Sequence, residues 1–482
     1  MYNLQPLKKC STMNLLQTIA QTFSRKENDI VGHQKFNYKS LNDLREDVDR
    51  LKVDLPISED LSILSDSIMI GNRELPNRLT IHPMEGADGT ADGKPSELTY
   101  RRYERFARGG AGLIWLEASA VVHEGRANPR QLYMCKENKS DFEKLLEKIH
   151  KTAELEYDRS PYTVIQLTHS GRHSRPEGKP APIIATANPY MDKFLSDEYK
   201  IITDDELKRL EDKFVEAAVL AKEIGFDAVD IKSCHGYLIS ELLSSFTREG
   251  EYGGSFENRT RFLRNVVDKI RDRLGDSIDI TLRLNAYDAI PYPYGFGVSK
   301  DDVSQPDLRE PIKLLQLLKE KGVKFVNITT GNPYYNPHIN RPYDLGPYIP
   351  DEHPLEGISR MLNVIREIQG AVPEMIVIST GYSWLRHLGQ YVAAGGIKEG
   401  WFKMAGFGRQ AFAYPDFARD ILEGRGMDPK KCCIACSKCT EIMRNGGTTG
   451  CVVRDAKHYA PIYIEVMKGK ATVPSKKIAS HL

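Results

Sequence analysis

The strongest constraint on the fold is a repeated alternation of short apolar runs with amphipathic helical patterns. Eight apolar runs of strand length occupy residues 78–84, 112–121, 162–167, 226–231, 278–284, 323–329, 375–380 and 400–406. Strands that alternate with helical patterns are typical of βαβ units and a parallel sheet. Eight such units close a TIM-type barrel, whereas a doubly wound sheet usually has about six strands. The sequence therefore predicts an α/β fold, a (β/α)8 TIM barrel.

Helix boundary signals support this alternation. Ser140 with Glu143 and Thr203 with Glu206 have the spacing of capping boxes, and Gly225 follows the second helix as a stop signal. A third amphipathic stripe, preceded by Ser40 as an N-cap candidate, lies in the N-terminal part of the chain. Such a stripe either covers the core of the main domain or docks on a partner, and the first role is the more common one.

Three regions are predicted along the 482 residues. Residues 1–60 form an N-terminal extension, residues 61–425 form the barrel, and residues 426–482 form a C-terminal segment that holds five of the eight cysteines. This crowding of cysteines predicts a metal site.

Charge and hydropathy exclude several classes of partner. The formal net charge is +1, which gives no basic field for nucleic acid. No apolar run approaches the roughly 20 residues that cross a bilayer, and the N-terminus lacks a convincing secretory signal. We therefore expect a cytoplasmic protein that binds a small molecule and neither nucleic acid nor membrane, and a homo-oligomer is compatible with the sequence.

The predicted chemistry follows the strand at 226–231. Lys232, His235 and Tyr237 come directly after this strand, where the carboxyl ends of parallel strands open onto a ligand crevice. Taken alone, these residues would more often be ordinary polar loop residues.

Other residues at predicted strand ends suit a phosphorylated cofactor. Glycine turns at Gly381 and Gly408 expose backbone N–H groups that can approach a phosphate, and Arg409 adds a charged fork. Gln166 and Arg283 are polar groups that could hold the edge of a heteroaromatic ring. A single glycine would more often be an ordinary turn residue, but the set favours a cofactor.

Specific motifs carry a resemblance to a known family. They are Asn77-Arg78-Leu79 with Pro83-Met84, Gly109 to Ile114 with Glu117, Gln166-Leu167 with His169-Ser170-Gly171-Arg172, Gly225-Phe226-Asp227 with His235-Gly236-Tyr237-Leu238, Glu251-Tyr252-Gly253-Gly254-Ser255 with Glu257-Asn258-Arg259, and Phe407-Gly408-Arg409. The chain resembles the old yellow enzyme family of FMN-dependent oxidoreductases, in the branch of 2,4-dienoyl-CoA reductase and trimethylamine dehydrogenase.

The resemblance implies FMN at the barrel mouth. Its ring would lie against Pro83, Met84 and Ala118, its pyrimidine edge would bond Gln166 and Arg283, and its phosphate would bond Gly381, Gly408 and Arg409. Lys232 and His235 would bind the substrate, and Tyr237 would donate a proton; we expect neighbouring cations to lower the pKa of Tyr237.

Two positions depart from the family pattern. Lys232 replaces a residue that is usually His or Tyr, and it would either bind substrate or pair with a local acid. Glu85 stands beside the predicted flavin, where relatives often carry Thr or Cys.

The cysteine segment predicts a second cofactor. Cys433, Cys436, Cys439 and Cys451 have the spacing C-x2-C-x2-C-x11-C, which favours an iron–sulfur cluster over structural zinc. Members of the same branch carry a [4Fe–4S] cluster after the barrel, so the resemblance implies this cluster here.

The sequence therefore predicts an FMN and [4Fe–4S] ene-reductase for an unsaturated carbonyl compound. The alternatives are an amine dehydrogenase or demethylase and an iron–sulfur electron-transfer subunit. No Gly-rich dinucleotide fingerprint follows Cys451. We therefore expect a separate electron donor, which would be a reductase, a flavodoxin or a ferredoxin, while NAD(P)H could also reduce FMN directly.

Overall fold

A closed barrel of eight parallel strands is the centre of the molecule. The structure, a computed structural model, describes residues 32–195 and 198–469. The barrel strands are β1 (Leu79–Ile81), β2 (Leu113–Ala120), β3 (Tyr162–Thr168), β4 (Ala228–Ile231), β5 (Asp279–Tyr287), β6 (Phe325–Thr330), β7 (Ile376–Ser379) and β8 (Met404–Phe407). Strand β8 pairs with β1 through Ala405 and Leu79, which closes the sheet.

A helix of the outer ring follows each barrel strand before the next barrel strand begins, or before the C-terminal segment in the case of β8. In chain order these helices are Glu97–Arg108, Lys139–Tyr157, Asp204–Ile224, Arg261–Leu274, Arg309–Glu320, Pro354–Ala371, Gly389–Lys398 and Phe417–Leu422. Shorter helices are Leu238–Leu243, Phe256–Arg259, Pro337–Asn340 and Arg409–Ala413, and the flanking regions contain Leu41–Leu51, Lys438–Arg444 and Ala456–Met467. The predicted (β/α)8 TIM barrel is confirmed.

Apolar side chains fill the barrel and cover its outer face. Trp115, Tyr162 and Phe325 belong to an interior cluster in which all three side chains are buried. An antiparallel hairpin, Ile68–Ile70 with Arg73–Leu75, adds Ile70 and Leu75 to the same cluster. Because this hairpin precedes β1, it closes the amino end of the barrel and leaves the carboxyl end for a ligand.

The helix starts agree with the sequence in two of three cases. Ser40 and Thr203 cap the helices Leu41–Leu51 and Asp204–Ile224 through capping boxes, and Gly225 ends the second with a φ of 107°. The capping box predicted at Ser140 is wrong. A 3-10 turn, Lys136–Asn138, continues directly into the helix Lys139–Tyr157, so that Ser140 lies inside it.

No helix within the described ranges is long and apolar enough to span a membrane. Residues 1–31 of the predicted extension, which include Cys10, lie outside the described residues, as do residues 470–482 of the predicted C-terminal segment.

Candidate functional site

A cleft at the carboxyl end of the barrel collects most of the predicted site residues. It encloses roughly 1070 Å³, part of which is open to solvent. Its lining includes Pro83, Met84, Glu85, Gln166, Lys232, His235, Tyr237, Arg283, Gly381, Gly408 and Arg409. Ala118 is absent from this lining; it is fully buried in β2, where it pairs with Gln166 of β3.

The turn after β4 presents three polar side chains to the cleft. The backbone N–H of Lys232 donates to Leu167 O on β3 (3.1 Å), which continues the sheet pattern one residue past the strand. His235 and Gly236 then adopt φ values of 65° and 70°, and Tyr237 precedes the helix Leu238–Leu243. Because this turn is left-handed at two consecutive residues, the chain reverses direction within the cleft.

Glu85 joins two of these side chains into a polar group. Lys232 Nζ lies 3.1 Å from Glu85 Oε1, and the Tyr237 hydroxyl donates to the same oxygen (3.3 Å). Lys232 Nζ also lies 3.7 Å from the centre of the Tyr237 ring, a cation–π distance. Lys232 thus pairs with a local acid, one of the two roles that the sequence left open.

Tyr334 extends this group toward the cleft mouth. Its hydroxyl lies 3.2 Å from the hydroxyl of Tyr237, and its ring stacks on His173 with 3.6 Å between ring centres. Tyr334 lines the cleft, but Tyr335 and His338 do not.

Burial and Glu85 raise the pKa of Tyr237 well above its ordinary value. The expectation that neighbouring cations would lower this pKa is therefore wrong. The Lys232 ammonium is offset by the Glu85 carboxylate, which hydrogen-bonds to the same phenol. Tyr237 consequently stays a neutral, protonated phenol over the physiological pH range.

His235 is also neutral. Burial, with Arg283 and Lys232 nearby, holds the pKa of this imidazole well below its ordinary value. Its Nε2 atom is buried and has no hydrogen-bond partner among the described residues. A buried polar atom without a partner is costly, so this atom is available to a ligand.

Asp230 of β4 hydrogen-bonds to both residues that the sequence predicted at a ring edge, Gln166 and Arg283. Its carboxylate accepts from Gln166 Nε2 (2.5 Å), from Trp115 Nε1 (2.9 Å) and from the backbone N–H of Arg283 (2.9 Å). The amide nitrogen of Gln166 is thereby engaged, which leaves Gln166 Oε1 as an acceptor for a ligand N–H. Burial raises the pKa of Asp230 to about 6.

The opposite part of the cleft is rich in glycine and arginine. Gly381 has a φ of 108°, and a Cβ there would lie 2.9 Å from Met361 Sδ, so a side chain would be strained and crowded. Arg409 follows Gly408 and has a buried Nη1 without a partner among the described residues. Arg341 also lines this cleft and donates to Ser437 Oγ (3.4 Å).

The four predicted metal-ligand cysteines line one separate cavity of roughly 380 Å³. They are Cys433, Cys436, Cys439 and Cys451. Arg409 lines both this cavity and the cleft, so the two sites share a wall. Within the described ranges, no three His, Cys or carboxylate side chains are arranged to hold a single metal ion.

Sequence reasoning missed two arginines of the cleft. Arg341 follows the short helix Pro337–Asn340 in the long loop after β6, and Arg444 ends the helix Lys438–Arg444 of the cysteine segment. Neither residue belongs to a motif that predicts its place in the cleft. For Arg444 the available signal was its position five residues after Cys439.

Comparisons with known proteins place the chain in a family. Residues 64–345 match the model of the NADH:flavin oxidoreductase / NADH oxidase family. An NADH oxidase of Thermoanaerobacter brockii is 27% identical over 377 residues, which are 76% of this chain and 52% of the relative. The chain thus spans about half the length of that relative.

Solved structures show the same fold. A 2-naphthoyl-CoA reductase bound to 2-naphthoyl-CoA superposes with a TM-score of 0.67 at 21% identity. The superposition covers 84% of this chain and 58% of the reductase chain. An old yellow enzyme homologue from Zymomonas mobilis superposes with a TM-score of 0.57 at 23% identity. The superposition covers 76% of this chain and 94% of the homologue's chain. The chain belongs to the NADH:flavin oxidoreductase / NADH oxidase family, the flavin-dependent family of the old yellow enzymes.

Proposed function

We propose that the chain is an FMN- and [4Fe–4S]-dependent oxidoreductase that reduces the C=C bond of an α,β-unsaturated carbonyl compound. The observation that carries the proposal is the single cleft at the carboxyl end of the barrel. There, the residues predicted to bond the ring edge and the phosphate of FMN line one space together with Lys232, His235 and Tyr237.

The residues present fit FMN. Arg283 Nε and Arg409 Nη1 are buried polar atoms without partners among the described residues, and a bound ring and phosphate would satisfy them. Arg341 lies on the same side as Arg409, and burial, followed by the positive charge of Arg409, lowers the pKa of Arg341 to about 9. A phosphate between these guanidinium groups would relieve their repulsion.

The cysteine cavity brings the four predicted cluster ligands together. Their C-x2-C-x2-C-x11-C spacing suits four-cysteine ligation of an iron–sulfur cluster. The bound cluster would supply one-electron transfer between the cleft and an external partner.

When bound, FMN would supply hydride to the β-carbon of the substrate alkene, and the protein side chains would stabilise the charge that develops. His235, as the tautomer with a proton on Nε2, would donate to the carbonyl oxygen. Lys232 has three N–H groups, so it can keep its hydrogen bond to Glu85 and donate a second one to the carbonyl oxygen of the substrate. Donors placed there lower the barrier because negative charge accumulates on that oxygen.

Tyr237 would protonate the α-carbon. Its hydroxyl proton rotates about the C–O bond from Glu85 toward the substrate, and its raised pKa keeps it protonated until the carbanion forms. Tyr334, 3.2 Å from the same oxygen, is placed to return a proton. Together the hydride and the proton add two electrons and two hydrogens across the alkene.

Electrons would enter from a separate reductase, flavodoxin or ferredoxin through the cysteine segment, or directly from NAD(P)H at the cleft. The relative from Thermoanaerobacter brockii is named NADH oxidase, which makes NADH the first donor to test.

The test is a steady-state assay of protein purified and reconstituted without oxygen. We expect 2-cyclohexenone to be reduced with NADH or dithionite as the reductant, and Tyr237→Phe to slow this reaction. Oxidation of trimethylamine without enone reduction would instead support the amine dehydrogenase alternative. Retention of both cofactors without turnover of either compound would support an electron-transfer subunit.

A further inference from the structure

The charges in the cleft are not balanced by its own residues. Glu85 is the single carboxylate side chain in the lining that the structure describes, against five cationic side chains. These five are Lys232, Arg283, Arg341, Arg409 and Arg444.

Four of the five cations have a role in the proposed cofactor site. Lys232 is paired with Glu85, and Arg283 faces the ring edge. Arg341 and Arg409 lie on the phosphate side. Arg444 is the cation that neither the cofactor nor Glu85 accounts for.

Arg444 lies on the substrate side of the cleft. Its Nη2 donates to Pro333 O (2.6 Å), and its guanidinium carbon lies 5.6 Å from the centre of the Tyr334 ring. Since the hydroxyl of Tyr334 contacts that of Tyr237, Arg444 stands one aromatic ring away from the proposed proton donor. No ion pair joins Arg444 to a carboxylate of residues 32–195 or 198–469.

The side of the cleft beside Arg444 has no free carboxylate in the lining that the structure describes, since Glu85 is paired with Lys232. The cleft mouth therefore has a positive potential on the side where substrate would enter.

We propose that Arg444 binds an anionic group of the substrate, a carboxylate or a phosphate, at the cleft mouth. The inference rests on the proposed function, because it places the alkene over Tyr237 and Lys232. The planar guanidinium fork of Arg444 suits the oxygens of either group. Arg444 also belongs to the helix that contains Cys439, so the cysteine segment would supply part of the substrate site.

The experiment titrates the oxidised holoenzyme with three related probes and follows the flavin absorbance. The probes are cinnamamide, its 4-carboxylate derivative and its 4-phosphate ester. We expect the two anionic probes to bind about tenfold or more tightly than cinnamamide at low salt, since a hydrogen bond to a charged group typically contributes that much. The ratio between the two anionic probes identifies the preferred group.

Matched variants test whether Arg444 is responsible for the preference for the anionic probes. Arg444→Gln should abolish the preference for the anionic probes and leave the affinity for cinnamamide within about twofold, whereas Arg444→Lys should keep part of the preference. Lys430→Gln removes an exposed charge of the same segment outside the cleft and should change neither affinity.

Several results would overturn the proposal. Equal binding of all three probes by wild-type protein would do so, as would an unchanged preference in Arg444→Gln. If Arg444→Gln does not fold, added salt in the wild type decides, because an anion site must lose its preference as ionic strength rises. An absence of FMN binding would remove the proposed function as well, whereas bound FMN without anion preference removes this inference alone.

Discussion

Asp230 should give the protein a pH-dependent stability that disappears in Asp230→Asn. The carboxyl is fully buried, and burial raises its pKa from 3.8 to about 6. In the folded state it therefore binds a proton at a higher pH than in the unfolded state. Protonation stabilises the fold, so stability must fall as the pH rises from about 4 to about 6.

The size of the effect follows from the two pKa values. A difference of about two pKa units corresponds to roughly 3 kcal/mol, since one unit is worth about 1.4 kcal/mol. Between pH 4.5 and pH 7, where the protein is easier to handle, the linkage relation gives a loss of about 2 kcal/mol in the free energy of unfolding.

The assay compares urea unfolding of wild type and Asp230→Asn, each with the same excess of FMN, followed by tryptophan fluorescence from pH 4.5 to 7. Other buried acids such as Glu117 and Asp288 titrate in both proteins, so the difference between the two free energies isolates Asp230. We expect wild type to lose about 2 kcal/mol relative to the variant as the pH rises. A constant difference across this range would show that Asp230 does not have a raised pKa in the folded protein.

Three further changes test the site. Tyr237→Phe should lower kcat for the enone by about 10²- to 10⁴-fold without loss of flavin, because general acid catalysis contributes this much; an unchanged kcat would exclude Tyr237 as the donor. Lys232→Met should destabilise the protein by roughly 3 kcal/mol in urea unfolding, because it leaves the Glu85 carboxylate unpaired. The double variant with Glu85→Gln should recover more than half of this loss of stability. Additive losses in the double variant would mean that the two side chains do not interact. Cys439→Ser should abolish bound iron, measured by chelation assay, while FMN remains. Cys432→Ala alters a thiol outside the cysteine cavity and should keep the iron. Loss of iron only in Cys432→Ala would contradict the choice of Cys439 as a cluster ligand.

The number and order of the strands were predictable because each buried parallel strand is a continuous apolar run. The ends of the strands were less predictable. Strand β1 covers Leu79–Ile81 where residues 78–84 were predicted, and β5 extends to Tyr287, past the predicted end at 284. Strand ends depend on hydrogen bonds to neighbours far along the chain, and local hydropathy does not record these.

The same limit applies to the site. Gln166, Lys232 and Arg283 could be placed in the cleft because the barrel brings all strand carboxyl ends to one face. The pairing of Lys232 with Glu85 joins residues 147 positions apart, and no local pattern encodes it. Burial by surrounding loops, rather than the nearby sequence, sets the raised pKa of Tyr237.

The cleft at the carboxyl end of the barrel should hold FMN through Arg409 and its neighbours. A fluorescence titration of flavin-free protein with FMN and with riboflavin, which lacks the phosphate, measures this contact. We expect one FMN per chain, binding on the order of a hundredfold more tightly than riboflavin, and loss of most of this difference in Arg409→Met. Equal affinity for the two flavins, or no binding of either, would contradict this expectation.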